Sequence, residues 1–226
     1  LAQELPVFTE KQPFCQYLSY FNQYTERLSY ISSLGERVYD TALYYPVTDF
    51  SGRLKSEEIS EEFDFLGRTL EDILVDFDIA DDDVLQQAKI TDDGYMCVGN
   101  AKYKNIIIPD GAFIPEATQK ALNKFIECGG RVLHELSNLT PVIKADGTGL
   151  RAIKRKVENG DLLILFRETG ENGDYCIHLP SENGYLLDLT NGKLQHIETE
   201  NGVLKLSLNI GETAVILLTD EAMKAE

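Results

Sequence analysis

The sequence is poor in basic residues, in histidine and cysteine, and in long apolar runs. Only 21 Lys and Arg stand against 38 Asp and Glu, a formal net charge of -17. Affinity for nucleic acid comes largely from cations that displace counterions, so a surface this acidic repels phosphate. An anionic membrane surface is disfavoured for the same reason, while neutral ligands such as sugars stay compatible. No apolar run approaches the length that spans a bilayer, and no basic segment leads into an apolar one as in a signal peptide. The chain starts Leu1-Ala2-Gln3, without Met, and reads as a piece cut from a longer protein. Its compartment therefore stays open between the cytoplasm, the periplasm and the exterior of a bacterium.

Four cysteines, Cys15, Cys97, Cys128 and Cys176, share no close spacing. They fit neither paired metal ligands nor a dense disulfide framework, and free, mostly buried thiols are expected. The three histidines, His134, His178 and His196, show no HxxxH or HxH spacing, which argues against metal ligation. The nucleophile-elbow pattern G-x-S-x-G is absent. So is a glycine-rich phosphate cradle: Gly129-Gly130 closes a helical pattern and precedes a strand, the reverse of the order a dinucleotide fingerprint requires. No cofactor is expected.

What is present suffices for a packed core, since 43% of the 226 residues are hydrophobic and 26% charged. Three periodicities divide the chain. Over residues 1–36, Phe14, Tyr17, Leu18, Phe21, Tyr24, Leu28 and Ile31 recur at steps of three and four, the stripe of one amphipathic helix that Gly35 stops. Such a stripe has to pack on the next region or on something outside this chain. Over residues 37–146, strands alternate with helices. Val38 to Tyr45 reads as a strand ended by Pro46, followed by a polar loop with Asp49 and Gly52. A helix carrying Ile59, Phe63, Leu66, Leu70, Ile73 and Leu74 comes next, then a strand at Asp76 to Ile79 and a short helix in DDDVLQQA. A small hairpin turns at Asp93-Gly94, and Asn105 to Pro109 forms a further strand. A helix with Ala117, Ala121, Leu122, Phe125 and Ile126 on one side then leads to a strand at Arg131 to Leu136. Short apolar strands alternating with helices predict an α/β fold: a flavodoxin-like, doubly wound parallel sheet covered on both faces. Over residues 150–226 the period switches to two and the segments are separated by five Asn-Gly dipeptides, which predicts an antiparallel β-sandwich or small barrel of about seven strands. Ala145 to Gly149 reads as the joint.

Candidate chemistry gathers where ligands meet open parallel sheets, beyond the carboxyl ends of the strands. Asp110-Gly111 falls there, beside Pro46 to Asp49 and Glu135 to Ser137. Asp49, Asp110 and Glu135 are the candidate ligand-contacting carboxylates, with Asp40 a further acid that a two-carboxylate glycosidase could use. The plainer reading of Asp110-Gly111 is turn chemistry, and it is the stronger one. A Cys128–His134 pair is disfavoured, because Cys128 sits at a helix carboxyl end, where the dipole opposes a thiolate. The runs Glu57-Glu58 and Asp81-Asp82-Asp83 read as solvated first turns of helices. Phe166, Tyr175 and Tyr185 could stack on sugars, though sandwich core is the commoner use.

The ordered set resembles a known arrangement. YTERLSYISSLGERVYDTALYYP, Tyr24 to Pro46, is similar to the junction that follows the catalytic barrel in family 106 α-L-rhamnosidases and related family 2-like glycoside hydrolases. The stretch from VDFDIADDDVLQQA to NIIIPDGAFIPEATQKALNKFIECGGRV resembles the class I amidotransferase-like α/β domain that comes next in them. YLLDLTNGKL resembles their following β-sandwich, but lacks the Trp and Pro of its usual motif. The resemblance implies a non-catalytic accessory portion of a glycoside hydrolase. Its acids and bases would lie in a barrel of the same polypeptide, so no catalytic residue is assigned here. Carbohydrate and a second copy of the chain are further partners it leaves open. Two other readings stand beside it: a free-standing carbohydrate-binding module, and an amidohydrolase-like enzyme, against which the missing nucleophile counts.

Overall fold

A computed structural model describes residues 13–51, 56–181 and 183–219. Gly52, Leu1, Ala2 and Gln3 lie outside the described residues. The fold is mixed α/β and contains one parallel sheet and three antiparallel ones.

The parallel sheet runs in the order Phe77–Ala80, Thr41–Tyr44, Asn105–Ile107, Arg131–Leu133. Its two central strands are buried at every position, as expected for strands covered on both faces. Alternation along them divides the core in two. Ala42, Tyr44 and Ile106 pack with Leu122 and Phe125 of the Glu116–Glu127 helix, and with Leu85, Met96 and Tyr103. Leu43 and Ile107 point the other way, onto Leu66 and Leu70 of the Ser56–Asp72 helix and onto Val75. The stripe on Glu116–Glu127 is rotated from the one expected: Thr118, Leu122 and Phe125 are buried, whereas Ile126 is half exposed. Thr118 takes an inward place because its hydroxyl has a carboxylate partner there. The hairpin at Asp93-Gly94 forms, and a third strand, Ala101–Tyr103, extends it.

The second half folds as two facing antiparallel sheets. One has the order Glu36–Arg37, Leu150–Val157, Gly160–Arg167, Thr213–Thr219, Gly184–Leu187, Leu194–His196; the other has Val203–Ser207, Asp174–His178, Lys144–Asp146. Leu163, Leu165, Ile216 and Leu218 from the first meet Tyr175 and Ile177 from the second in a common core. Two expectations change here. Ala145-Asp146 belongs to a strand paired with Asp174–His178, so the stretch expected as a joint is part of the sandwich. The Asn-Gly pairs also overstate the hairpins. Asn201-Gly202, with φ of 55° and 76°, is the one that closes a two-residue turn with both residues at positive φ. The tight turn between Leu150–Val157 and Gly160–Arg167 is Glu158-Asn159, with Gly160 already paired to Val157.

The amino-terminal helix, Leu18–Ser33, packs on the outer face of the six-stranded sheet and not on the α/β layer that follows it in sequence. Ile31, with Tyr24 and Leu28, lies against Leu162, Ile164, Leu189 and Val215. The expected strand from Val38 to Tyr45 is accordingly shortened. Val38 N–H donates to Lys154 O at 2.9 Å, continuing the Glu36–Arg37 pairing with Leu150–Val157 in the sandwich, and only Thr41–Tyr44 enters the parallel sheet.

Candidate functional site at the carboxyl rim of the parallel sheet

From Thr41–Tyr44 the chain passes first to Phe77–Ala80 on one side and later to Asn105–Ile107 on the other. The strand order therefore reverses between Thr41–Tyr44 and Asn105–Ile107, the place where open α/β sheets bind ligands. The loops that leave the carboxyl ends there bring together Asp49, Asp82, Asp110, Phe113, His134 and Glu135.

Asp49 is turned inward. It lies in the short helix Val47–Phe50, is 4% exposed, and its Oδ2 accepts the Phe113 N–H at 2.7 Å. A buried carboxylate on a backbone donor is a strong, charge-assisted hydrogen bond. It ties the loop after the first parallel strand to the loop after the third.

Asp110 is outward. Its carboxylate lies 3.3 Å from His134 Nδ1, and both side chains are more than half exposed. Gly111 continues the turn at a φ of 76°, a conformation that favours glycine. Glu135 is exposed next to His134. The rim thus presents two carboxylates and an imidazole to solvent. An Asp–His pair is the base-and-orienter half of a nucleophilic triad, but the residue at the turn is the carboxylate itself. Cys128 caps the far end of the Glu116–Glu127 helix and is separated from His134 by the length of the Arg131–Leu133 strand.

Sequence reasoning missed Asp82. It accepts the Tyr44 hydroxyl at 2.8 Å and the Thr118 hydroxyl at 2.6 Å, and Gln86 Nε2 donates to Thr118 Oγ1 at 2.9 Å. Of the acidic run, Asp81 caps the Asp82–Gln87 helix by accepting the Val84 N–H. Asp82 is a buttress under the rim and not a solvated charge. The one signal for it was its place two residues beyond a strand.

Three tyrosines have raised pKa values: Tyr44 within this network, and Tyr39 and Tyr103 around Asp78, towards the amino ends of the parallel strands. Burial, then a hydrogen bond to Asp78, pushes Tyr39 up to about 12. Tyr44 and Tyr103 are raised further, by burial first and then by Asp82 and Asp78 respectively. A phenol whose folded pKa lies above its unfolded value of about 10 contributes stability in full below that pH and loses it as pH rises. Stability should therefore fall from about pH 10 to 12, with phenolate absorbance from these tyrosines appearing together with unfolding. Reversible titration of all eleven tyrosines, with circular dichroism unchanged, would contradict the assignment.

A cleft of about 470 Å³ opens away from the rim, between the Phe77–Ala80 strand and the outer face of the six-stranded sheet. Its charged lining is already engaged: Arg37 with Asp76 and Asp78, and Arg151 with Asp72, Glu71 and Glu168. The remainder is mostly apolar, so the cleft is a wedge between layers and no set of free polar groups converges in it. Of the sandwich aromatics, Tyr175 and Tyr185 are buried and Phe166 is partly exposed at the cleft. His196 stacks edge-on against Tyr185. The cysteines are free and only partly buried, less than expected. Among the described residues no cluster of three or more His, Cys, Asp or Glu could hold a metal ion.

No family model matches the sequence, and no curated protein sequence is detectably similar to it. Solved structures do match. A rhamnosidase from Novosphingobium sp. PP1Y superposes on 98% of this chain with a TM-score of 0.70 at 14% identity. Gan42B, a GH42 β-galactosidase, matches 81% of the chain with a TM-score of 0.53 at 10% identity. A catalytic mutant of Gan42B from G. stearothermophilus matches 93%, with a TM-score of 0.62 at 10% identity. The chain spans 26% of the rhamnosidase and 40% and 44% of the two Gan42B chains. At these identities the likeness is one of fold, and the fold is one that occurs within glycoside hydrolases.

Proposed function

We propose that this chain is a non-catalytic accessory portion of a carbohydrate-active glycoside hydrolase, built to support a catalytic barrel of the same polypeptide. The observation that carries the reading is the superposition of 98% of the chain on about a quarter of a rhamnosidase. In this reading residues 41–136 are a flavodoxin-like, amidotransferase-like layer. The strand order, with the second strand outside the first and the third and fourth beyond it, supports that. Residues 13–37 and 144–219 then form the accompanying β-sandwich with its helix.

Asp110, His134 and Glu135 are the exposed groups of the rim, and in this reading they contact sugar hydroxyls at the edge of the parent's site. Asp49 contributes indirectly, by holding the Phe113 loop. Net charge of -17 favours a neutral ligand over a phosphorylated one.

Incubation of the chain with aryl α-rhamnosides and β-galactosides is expected to give background release of the phenol. Turnover above background that disappears in Asp110→Asn or His134→Ala would overturn the proposal and identify a glycosidase centre in this chain.

A further inference from the structure

The stripe on the Leu18–Ser33 helix is continuous in sequence but covered for only half its length. Tyr24, Leu28 and Ile31 pack on the six-stranded sheet. Tyr17, Tyr20 and Phe21 continue the same ridge, at the three- and four-residue steps that align side chains on one helix face, and are 61%, 70% and 62% exposed. The cause is the helix's course over the sheet. Its carboxyl end is anchored at the first strand of the sheet order, where Arg155 Nη2 donates to Gly35 O at 2.9 Å. Arg27 Nη1 then donates to Leu189 O and Thr190 O, at 2.9 and 2.8 Å, in the turn between the last two strands. The turns ahead of Arg27 extend about 13 Å further, at 1.5 Å per residue, and among the described residues no side chain ahead of Tyr24 joins the cluster buried on the sheet. The outermost strand of this sheet, Leu194–His196, is exposed at every position.

An uncovered helix of two or three turns is marginal by itself, since helices in proteins owe most of their stability to a packed face. Resting on the accessory reading above, we infer that the uncovered turns, with Tyr17, Tyr20 and Phe21, together with the edge strand Leu194–His196, form the surface that docks on the remainder of the parent polypeptide. The occupant is an apolar protein surface. Residues 16–23 (QYLSYFNQ) carry no charge in a chain of net charge -17, and loss of charge with enrichment in Tyr and Phe marks the core of protein interfaces. A sugar fits less well, because small ligands sit in concave sites and this face is the convex side of a helix. A second copy fits less well too: two chains of this charge repel one another, whereas a covalently joined partner meets the helix at high effective concentration.

Amide hydrogen exchange in the 226-residue chain and in the parent polypeptide tests the assignment. In the chain alone, which should sediment as a monomer, residues 16–23 are expected to exchange rapidly. In the parent, their exchange should slow by about 100-fold or more as the helix is covered, and Tyr20→Ser/Phe21→Ser should restore fast exchange there without changing exchange in the Asn105–Ile107 strand. Two results would overturn the inference: slow exchange in the chain alone with a dimer in sedimentation, which makes the occupant a second copy, or equally fast exchange in a parent of full length. The latter leaves the accessory reading standing, whereas the lack of any larger parent removes that reading itself.

Discussion

Replacement of Ile107 by alanine is expected to lower the free energy of unfolding by about 2–5 kcal/mol, with the value toward the upper end. Ile107 is fully buried on a central strand and points into the cluster formed by Leu43, Leu66, Leu70 and Val75. Backbone pairing on both sides, to Leu43 and to Leu133, keeps its position fixed. The surrounding helix cannot collapse into the space left by the lost methyl and methylene groups, so a cavity remains. Urea melts check it through the midpoint at constant slope. A loss below about half a kcal/mol would mean that the strand does not pair as described.

The second large effect is expected at Arg37, which joins the two layers. Its backbone pairs with Arg155 in the sandwich sheet, while its guanidinium reaches the edge strand of the parallel sheet. Nε donates to Asp76 Oδ2 at 2.7 Å, Nη1 to Asp78 Oδ1 at 3.0 Å, and Nη2 to Phe77 O at 2.9 Å and to the other Asp76 oxygen. Asp76 is nearly buried, so Arg37→Met strands a carboxylate out of water. Removing one partner of a buried pair costs about 3–5 kcal/mol; with Arg37 itself one-third exposed, about 2–3 kcal/mol is expected here. The double variant Arg37→Met/Asp76→Asn should recover most of that loss, because the uncompensated charge is gone. Equal losses in the single and double variants would show that the charge pair is not what ties the layers together.

How much was legible in the sequence follows from which interactions are local. The Ser56–Asp72 and Glu116–Glu127 helices and the strands flanking them carry their periodicity and stop signals within a few residues, and they form close to where they were expected. What escaped depends on partners distant in sequence. By pattern alone Val38 belongs to the apolar strand Val38 to Tyr45; that it follows Glu36–Arg37 onto the sandwich is decided by the pairing with Arg155 and Lys156 and by the Arg37 contacts to Asp76 and Asp78. The Leu150–Val157 strand is poorly marked in the sequence because its charged residues, Arg151, Lys154, Arg155 and Lys156, mask a strand whose charges find acidic or carbonyl partners. At the rim, Asp110 and Glu135 were legible as loop carboxylates beyond strand ends. The His134 contact to Asp110 was not, because it joins loops from two different strands. Asp82 illustrates the same limit: three consecutive acids at a helix start look equivalent, and only the tertiary placement of Tyr44 and Thr118 singles one out.

The central claim is that this fold is one part of a larger carbohydrate-active enzyme. The mass of the native polypeptide, detected with an antibody raised against this chain, tests it most directly. A species several times heavier than 25.4 kDa, carrying glycosidase activity that the chain alone lacks, is the predicted result. A single native species of 25.4 kDa would contradict it.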